Sequence, residues 1–260
     1  MYVLYPKEVF LCKYKGNVFH KRKHRVTAKG CSQKQGINYL ESETYTPTAD
    51  LDSRLIGLNF GVHHGYNIKL KDVVSAFNNT DLHKLNEGEV LPRSQRIFMQ
   101  PPKSWIEFLN IPPGYVMELH KCIEGLKQSG HLFFKDLSEW LISAGYGQSK
   151  VDMCVFLYYN KQTGKLTLLI IIHVDDIIYT GTDFEMDRFE KLLSLKFNTT
   201  EAEDINGATL LSIQVTYDKE LEKLTIGQEV PGNVWYDQLQ PCKNTIHRPR
   251  PGQGQQRSAG

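Results

Sequence analysis

The run Leu166-Thr167-Leu168-Leu169-Ile170-Ile171-Ile172 meets the doublet Asp175-Asp176 and resumes as Ile177-Ile178-Tyr179. An apolar stretch of this length, rich in isoleucine and preceded by the turn-forming Asn160 to Gly164, reads as a buried strand. Its continuation past the acids predicts a buried hairpin with two carboxylates at the junction. In an ordinary hairpin such acids serve only the turn, because Asp tolerates and caps tight turns. Here they stand at the end of an inward-facing strand, where two acids forced together repel and raise a pKa unless a cation neutralises them.

A second isolated acid, Asp72, opens the segment Asp72-Val73-Val74-Ser75-Ala76-Phe77, which reads as a short strand breaking at Asn78-Asn79-Thr80-Asp81. If the two strands pair, the acids converge. An oxygen-only set suits Mg²⁺, which binds through one or two carboxylates while keeping waters and substrate phosphates. Two such ions about 3.5–4 Å apart stabilise the attacking and leaving oxygens of phosphoryl transfer, so nucleotidyl transfer is the favoured chemistry.

The rest of the chain predicts an α+β body. Val9 to Tyr14 and Val18 to Ala28 read as a hairpin around Lys15-Gly16-Asn17. Helical spacing marks Leu51 to Gly65, with Asp50 or Asp52 as cap, then Gly130 to Gly145 and Asp183 to Phe197. Val155 to Tyr159, Leu210 to Tyr217 and Leu221 to Ile226 read as further strands, and His83 to Gln95 and Pro101 to Gly114 as loops. The tail from Pro241, rich in Pro, Gly, Gln and Arg, has little to bury and is expected to be disordered.

Charge is unevenly spread. Through Gly36 there are nine Lys or Arg against one acid, Glu8, while the remainder carries 22 bases and 28 acids. A basic lobe on an acidic body suits phosphate contacts; a merely solvated basic surface is the alternative. Five scattered cysteines form no C-x-x-C pair and predict reduced thiols without zinc, and His63-His64 reads as surface or core. No apolar run reaches the roughly 20 residues that span a bilayer, so no membrane partner and an intracellular location are expected.

Several motifs in order, along Val9 to Gln228, resemble the polymerase domain of copia-type (Pseudoviridae) retroelements. Lys23 to Tyr39, KHRVTAKGCSQKQGINY, resembles that family's K-A-R-L-V-A-K-G-x-x-Q-x-x-G-x-x-Y, and TYTPTADLDSR at Thr44 to Arg54 resembles F-S-P-V-A-x-x-x-x-x-R. Asp72 to Phe77 is similar to D-V-x-x-A-F, and Ile97 to Pro102 to V-Y-M-x-x-P-P. Gly125-Leu126-Lys127-Gln128-Ser129 matches G-L-K-Q-S, His173-Val174-Asp175-Asp176 is similar to Y-V-D-D, and Leu211 to Val215 to L-G-L-E-I.

The resemblance implies a right-hand reverse transcriptase, with fingers at residues 1–60 and 87–125, an antiparallel palm sheet backed by helices at 61–86 and 126–228, and a linker and tail at 229–260. Asp72, Asp175 and Asp176 would hold two Mg²⁺ ions, with Mn²⁺ as substitute. Phe77 would be the gate beneath the sugar, with core packing as its alternative; Gln128 would position the nucleotide and template; Arg25 or Lys23 would reach the triphosphate, leaving Lys29 as a surface cation. Implied partners are an RNA or DNA template–primer duplex, dNTPs and other parts of a Pol polyprotein, in cytoplasmic virus-like particles and the nucleus. Three departures flank the site: Lys71 for an apolar residue, His173 for Tyr, and Glu124 for an aromatic. Lys71 either pairs with Asp72 or points away, and His173, an imidazole with an ordinary pKa of about 6.5, could add positive charge beside the acids below that pH. A truncated, weakened relic is therefore expected, with a non-catalytic nucleic-acid-binding remnant or a carboxylate-dependent metal hydrolase as the competing readings.

Overall fold

The computed structural model describes residues 2–15, 18–83, 92–206, 209–210, 213–218, 220, 223–228 and 244–247. In chain order these form β1 (Val3–Leu4), β2 (Pro6–Lys15), β3 (Val18–Ala28), α1 (Leu51–His64), β4 (Asn67–Asp72), β5 (Ile97–Met99), α2 (Lys103–Leu109), β6 (Met117–Leu119) and α3 (Ser129–Ser143). There follow β7 (Gly147–Gln148), β8 (Val155–Tyr159), β9 (Leu166–His173), β10 (Asp176–Gly181), α4 (Asp183–Lys196), β11 (Glu203–Asp204), β12 (Thr209–Leu210), β13 (Ile213–Asp218), β14 (Lys223–Gln228) and β15 (Asn244–His247). Helices and sheets are mixed without regular alternation, an α+β fold. No helix among the described residues is long and apolar enough to cross a membrane.

The chain divides into two compact units, Met1–Pro47 with Ser75–Ala144, and Thr48–Val74 with Gly145–Gly260. The division expected from the resemblance, at 60/61, 86/87 and 125/126, is a different partition, which assigns α1 and α3 otherwise. In the first unit the β2–β3 hairpin and the three-stranded sheet β1-β5-β6 enclose Leu4, Ala28, Leu82, Ile97, Met99, Cys122 and Leu126. Burial pushes the Cys122 thiol up to about 11, so it packs as a hydrophobe rather than a nucleophile.

The second unit is built on a six-stranded sheet, β11-β4-β10-β9-β8-β7, antiparallel throughout. Leu168, Ile170, Ile171 and Ile172 are fully buried, although successive strand residues point to opposite faces. Helices cover both faces, which is why β9 is continuously apolar rather than alternating. On one face α1 lies so close that a Cβ on Gly57 would sit 2.5 Å from Ile171, and one on Gly61 within 2.7 Å of both Ile68 and Thr180. On the other, Phe189 of α4 meets the rings of Tyr179 at 5.1 Å and Tyr146 at 5.7 Å.

Three expectations fail. The strand near Asp72 spans Asn67–Asp72 and ends at the acid, instead of running on to Phe77. Beyond it Val73 and Val74 are drawn to Asp175 and Asn198 by backbone hydrogen bonds, Ser75 adopts φ +52°, and Ala76–Asn79 form a 3-10 turn. The valines supplied β-propensity, but a left-handed residue cannot continue a strand. Secondly, Lys103–Leu109 within the expected loop is a helix, begun after Pro102, a residue suited to a helix start. Thirdly, Asn244–His247 of the expected disordered tail pairs antiparallel with β14, whose open edge offers backbone partners independently of side chains; the rest of that tail lies outside the described residues, as does the Lys15-Gly16-Asn17 turn beyond Lys15.

The α1–sheet contact yields a stability prediction. Gly61→Val should overpack this seam and destabilise the protein by about 1–3 kcal/mol, read as a lower urea midpoint at unchanged slope. A midpoint equal to the parent's would mean that α1 does not lie this close to Ile68 and Thr180.

Candidate functional site

Strand register brings the acids together. Asp176 begins β10 and lies directly opposite Asp72, the last residue of β4, and also opposite His173, the last residue of β9. Directly opposed residues project to one side of a sheet; by alternation with Ile68 and Thr180, that side is the α1 face. Asp175 occupies the two-residue turn between β9 and β10, and its carbonyl accepts the Val73 N–H at 3.0 Å. All three carboxylates thus sit at one end of three adjacent strands. Thr200, which no sequence signal marked, fixes Asp72: its hydroxyl accepts the Asp72 N–H at 3.1 Å and its N–H donates to the Asp72 carbonyl at 2.9 Å.

The turn is strained. Val174 has φ +58°, a region that β-branched residues avoid. Such a backbone costs on the order of 1–3 kcal/mol and persists only where the surroundings over-determine it, as the paired, doubly covered strands on either side do here.

Electrostatics report the same convergence. Burial, then the charges of Asp175 and Asp72, push the Asp176 carboxyl up to about 6. Like charges this close are what a divalent cation would relieve, and the oxygen-only set fits Mg²⁺. Among the described residues no three Asp, Glu, His or Cys side chains form a ready cation cage. An ion here would therefore complete its shell with water or phosphate oxygens, as Mg²⁺ commonly does.

The departures beside the acids are placed in surroundings that their positions in the sequence do not show. Lys71 neighbours Asp72 in sequence but projects to the α4 face, where its Nζ lies 3.4 Å from the Ser194 hydroxyl. Of the two expected alternatives, it points away. For His173, burial, then the Arg54 guanidinium, hold the pKa below the usual value, outweighing Asp175 and a hydrogen bond to the Ala49 backbone, so the expected positive charge appears only at lower pH than on an ordinary imidazole. Arg54 is the other residue that sequence reasoning passed over, although it ends the TYTPTADLDSR motif. Its Nη1 is buried without a hydrogen-bond partner, and its Nε lies 3.4 Å from the Asp50 carbonyl.

Phe77, Gln128, Arg25 and Lys23 belong to the first unit. Phe77 is half-buried on that unit's core, edge-on to Phe133 at 6.2 Å. Gln128 is 4% exposed with both ends of its amide engaged: Oε1 accepts from Gln33 at 2.9 Å and Nε2 donates to the Asn38 carbonyl at 3.0 Å. Lys23 and Arg25 stand on the same face of β3, Arg25 exposed and ion-paired with Glu124 at 3.4 Å. That pair gives the Glu124 departure a partner, although an exposed bridge contributes only about 0–1 kcal/mol. Lys29 is exposed, as expected, and so are His63 and His64.

Comparison with known proteins decides the family: the model for reverse transcriptase (RNA-dependent DNA polymerase) matches residues 4–230. The chain belongs to the reverse transcriptase family. It is 29% identical over 185 residues to the retrovirus-related Pol polyprotein from transposon RE2 of Arabidopsis thaliana, covering 71% of this chain and 12% of that protein. It is 30% identical over 176 residues to the corresponding polyprotein from transposon RE1 of the same plant, covering 67% of this chain and 11% of that protein. The chain thus corresponds to a reverse transcriptase part of a retrotransposon Pol polyprotein, as the motif order implied, and spans a small fraction of those relatives.

The raised Asp176 carboxyl sets a pH dependence with a definite sign. Its folded value, about 6, exceeds the ordinary 3.8, so its favourable contribution is complete below the unfolded pKa and is lost as pH rises through the folded one. Stability should fall between about pH 4 and 6 for this reason, and Asp176→Asn should remove that part of the fall. Carboxyl NMR provides the check: a titration near 6 that moves down in Asp72→Asn is expected, and an Asp176 that titrates like a free aspartate would refute the coupling.

Proposed function

We propose that the chain carries the nucleotidyl-transfer site of an RNA- or DNA-templated DNA polymerase. The observation that supports this most is the register that sets Asp72 opposite Asp176, with Asp175 in the adjoining turn. Asp72, Asp175 and Asp176 would hold Mg²⁺, which when bound would neutralise the charge developing on the attacking and leaving oxygens. The residues' own part is to present carboxylates from a rigid sheet end, so that little reorganisation is needed when that charge appears.

In this reading the second unit's sheet is the palm and the basic β2–β3 hairpin belongs to the fingers. A template–primer duplex would be recognised through its backbone and A-like shape, with Lys23 and Arg25 near the triphosphate of a dNTP. Phe77 would gate the sugar from a half-buried position on the first unit's core. Gln128 would act through the loop it holds, since its amide is already engaged by Gln33 and Asn38. Lys71 turns away and the His173 pKa is held below its usual value, which supports a site that could still accept a cation at the carboxylates.

Primer extension on poly(rA)/oligo(dT) with Mg²⁺ or Mn²⁺ is the test, applied to the chain alone and joined to the remainder of a Pol polyprotein. Extension is expected, falling by orders of magnitude in Asp72→Asn, Asp175→Asn and Asp176→Asn, while Lys71→Leu with His173→Tyr changes it little. Salt-dependent duplex binding without extension in either form would favour the non-catalytic remnant, and strand degradation would favour a hydrolase. Phe77→Val should relax discrimination between dNTPs and rNTPs; an unchanged ratio would leave Phe77 as a packing residue.

A further inference from the structure

The α4 face of the six-stranded sheet holds a cluster of charge for which the carboxylate site has no use. Lys69 and Lys71 project there from β4, alternating with Ile68 and Leu70 on the other face. Lys69 Nζ lies 2.8 Å from Glu190 Oε1, and the same oxygen accepts the Tyr179 hydroxyl at 2.8 Å. Burial alone would raise the Glu190 carboxyl, but these hydrogen bonds and the charges of Lys69 and Lys71 bring it below its usual value. Glu190 is thus ionised and already committed to Lys69.

Lys71 has no such dedicated partner. Its residue is 6% exposed, yet among the described residues its only hydrogen bond is the long one, 3.4 Å, to Ser194 Oγ. An ammonium offers three donors, and one buried among weak partners is costly. Lys191 lies three residues before Ser194 and four before Leu195, on one helical face, and makes no ion pair among the described residues. Lys71, Glu190, Lys191, Ser194 and Leu195 line an open cavity of about 440 Å³. The lining carries two lysines and one glutamate, and that glutamate is already bonded to Lys69 beside the cavity, so the Lys71 and Lys191 ammoniums face it without an ion pair among the described residues.

We propose that this cavity is an anion site that takes the phosphate of a small phosphate ester, held by the Lys71 and Lys191 ammoniums and the Ser194 hydroxyl. Lysine binds phosphate as a point charge, and a doubly charged phosphate matches the excess. A bare phosphate would leave most of the volume empty, whereas Leu195 and the aliphatic lysine stems offer a wall for an organic group of nucleoside size. Lys71 stands where the resembled family pattern has an apolar residue, and Glu190, the acid in the lining, is bonded to Lys69. It lies on the opposite sheet face from Asp72 and Asp176 and does not depend on the polymerase reading.

The full chain is titrated with inorganic phosphate, thymidine monophosphate and a short oligothymidylate at constant ionic strength, following the amide resonances of Ser194 and Leu195. Saturable shifts are expected, with thymidine monophosphate binding more tightly than phosphate. Lys71→Met and Lys191→Met should each weaken both by roughly tenfold or more, the loss of one charge-assisted contact, while Asp175→Asn leaves them unchanged. Shifts that fail to saturate, or that persist equally in the lysine variants, overturn the site. Saturation by the oligonucleotide alone overturns the small-ester assignment in favour of a nucleic-acid backbone. Should Lys71→Met not fold, Lys191→Met decides, because that side chain lies on the helix surface.

Discussion

The pairing of β10 with both β9 and β4 is the constraint on which the rest of the second unit depends. Because side chains alternate along a strand, a slip of one residue in either ladder would carry every buried isoleucine to the other face. With α1 pressed on one face and α4 on the other, neither face can accept that exchange. The register is therefore held by the core, and the opposition of Asp72 and Asp176 follows from it rather than from any attraction between the acids.

That arrangement runs against local preference. Like charges directly opposite across strands are destabilising, the Asp176 carboxyl is driven up to about 6, and Val174 takes a left-handed backbone. None of these helps the sheet. Rigid strands on either side hold them in place, and this concentration of unfavourable local choices at one sheet end is what supports the proposal of a site there.

The first unit treats its motif residues differently. Gly30 and Gly125, from two motifs far apart in sequence, meet backbone to backbone: a Cβ on Gly30 would lie 2.1 Å from the Gly125 carbonyl oxygen, and one on Gly125, at φ +92°, 2.1 Å from that of Ala28. Gln33 and Gln128 join the same segments through their amides. Gln128, which reads as a contact for a nucleotide, is thus also a tie that holds a loop, and a motif does not distinguish the two uses.

The sequence by itself determined the buried hairpin, the acids at its junction, the helices Leu51–His64, Ser129–Ser143 and Asp183–Lys196 to within a residue or two, and the family. These are legible because apolar periodicity and turn residues act locally. Tertiary structure alone decided where β4 stops, since Val73 and Val74 are strand-formers diverted by Asp175 and Asn198. It also decided that Lys71 faces away from Asp72, and that burial and Arg54 hold the His173 pKa below its usual value. Each of these depends on which distant groups surround a residue, and charge and burial are properties of that surrounding rather than of the residue's place in the chain.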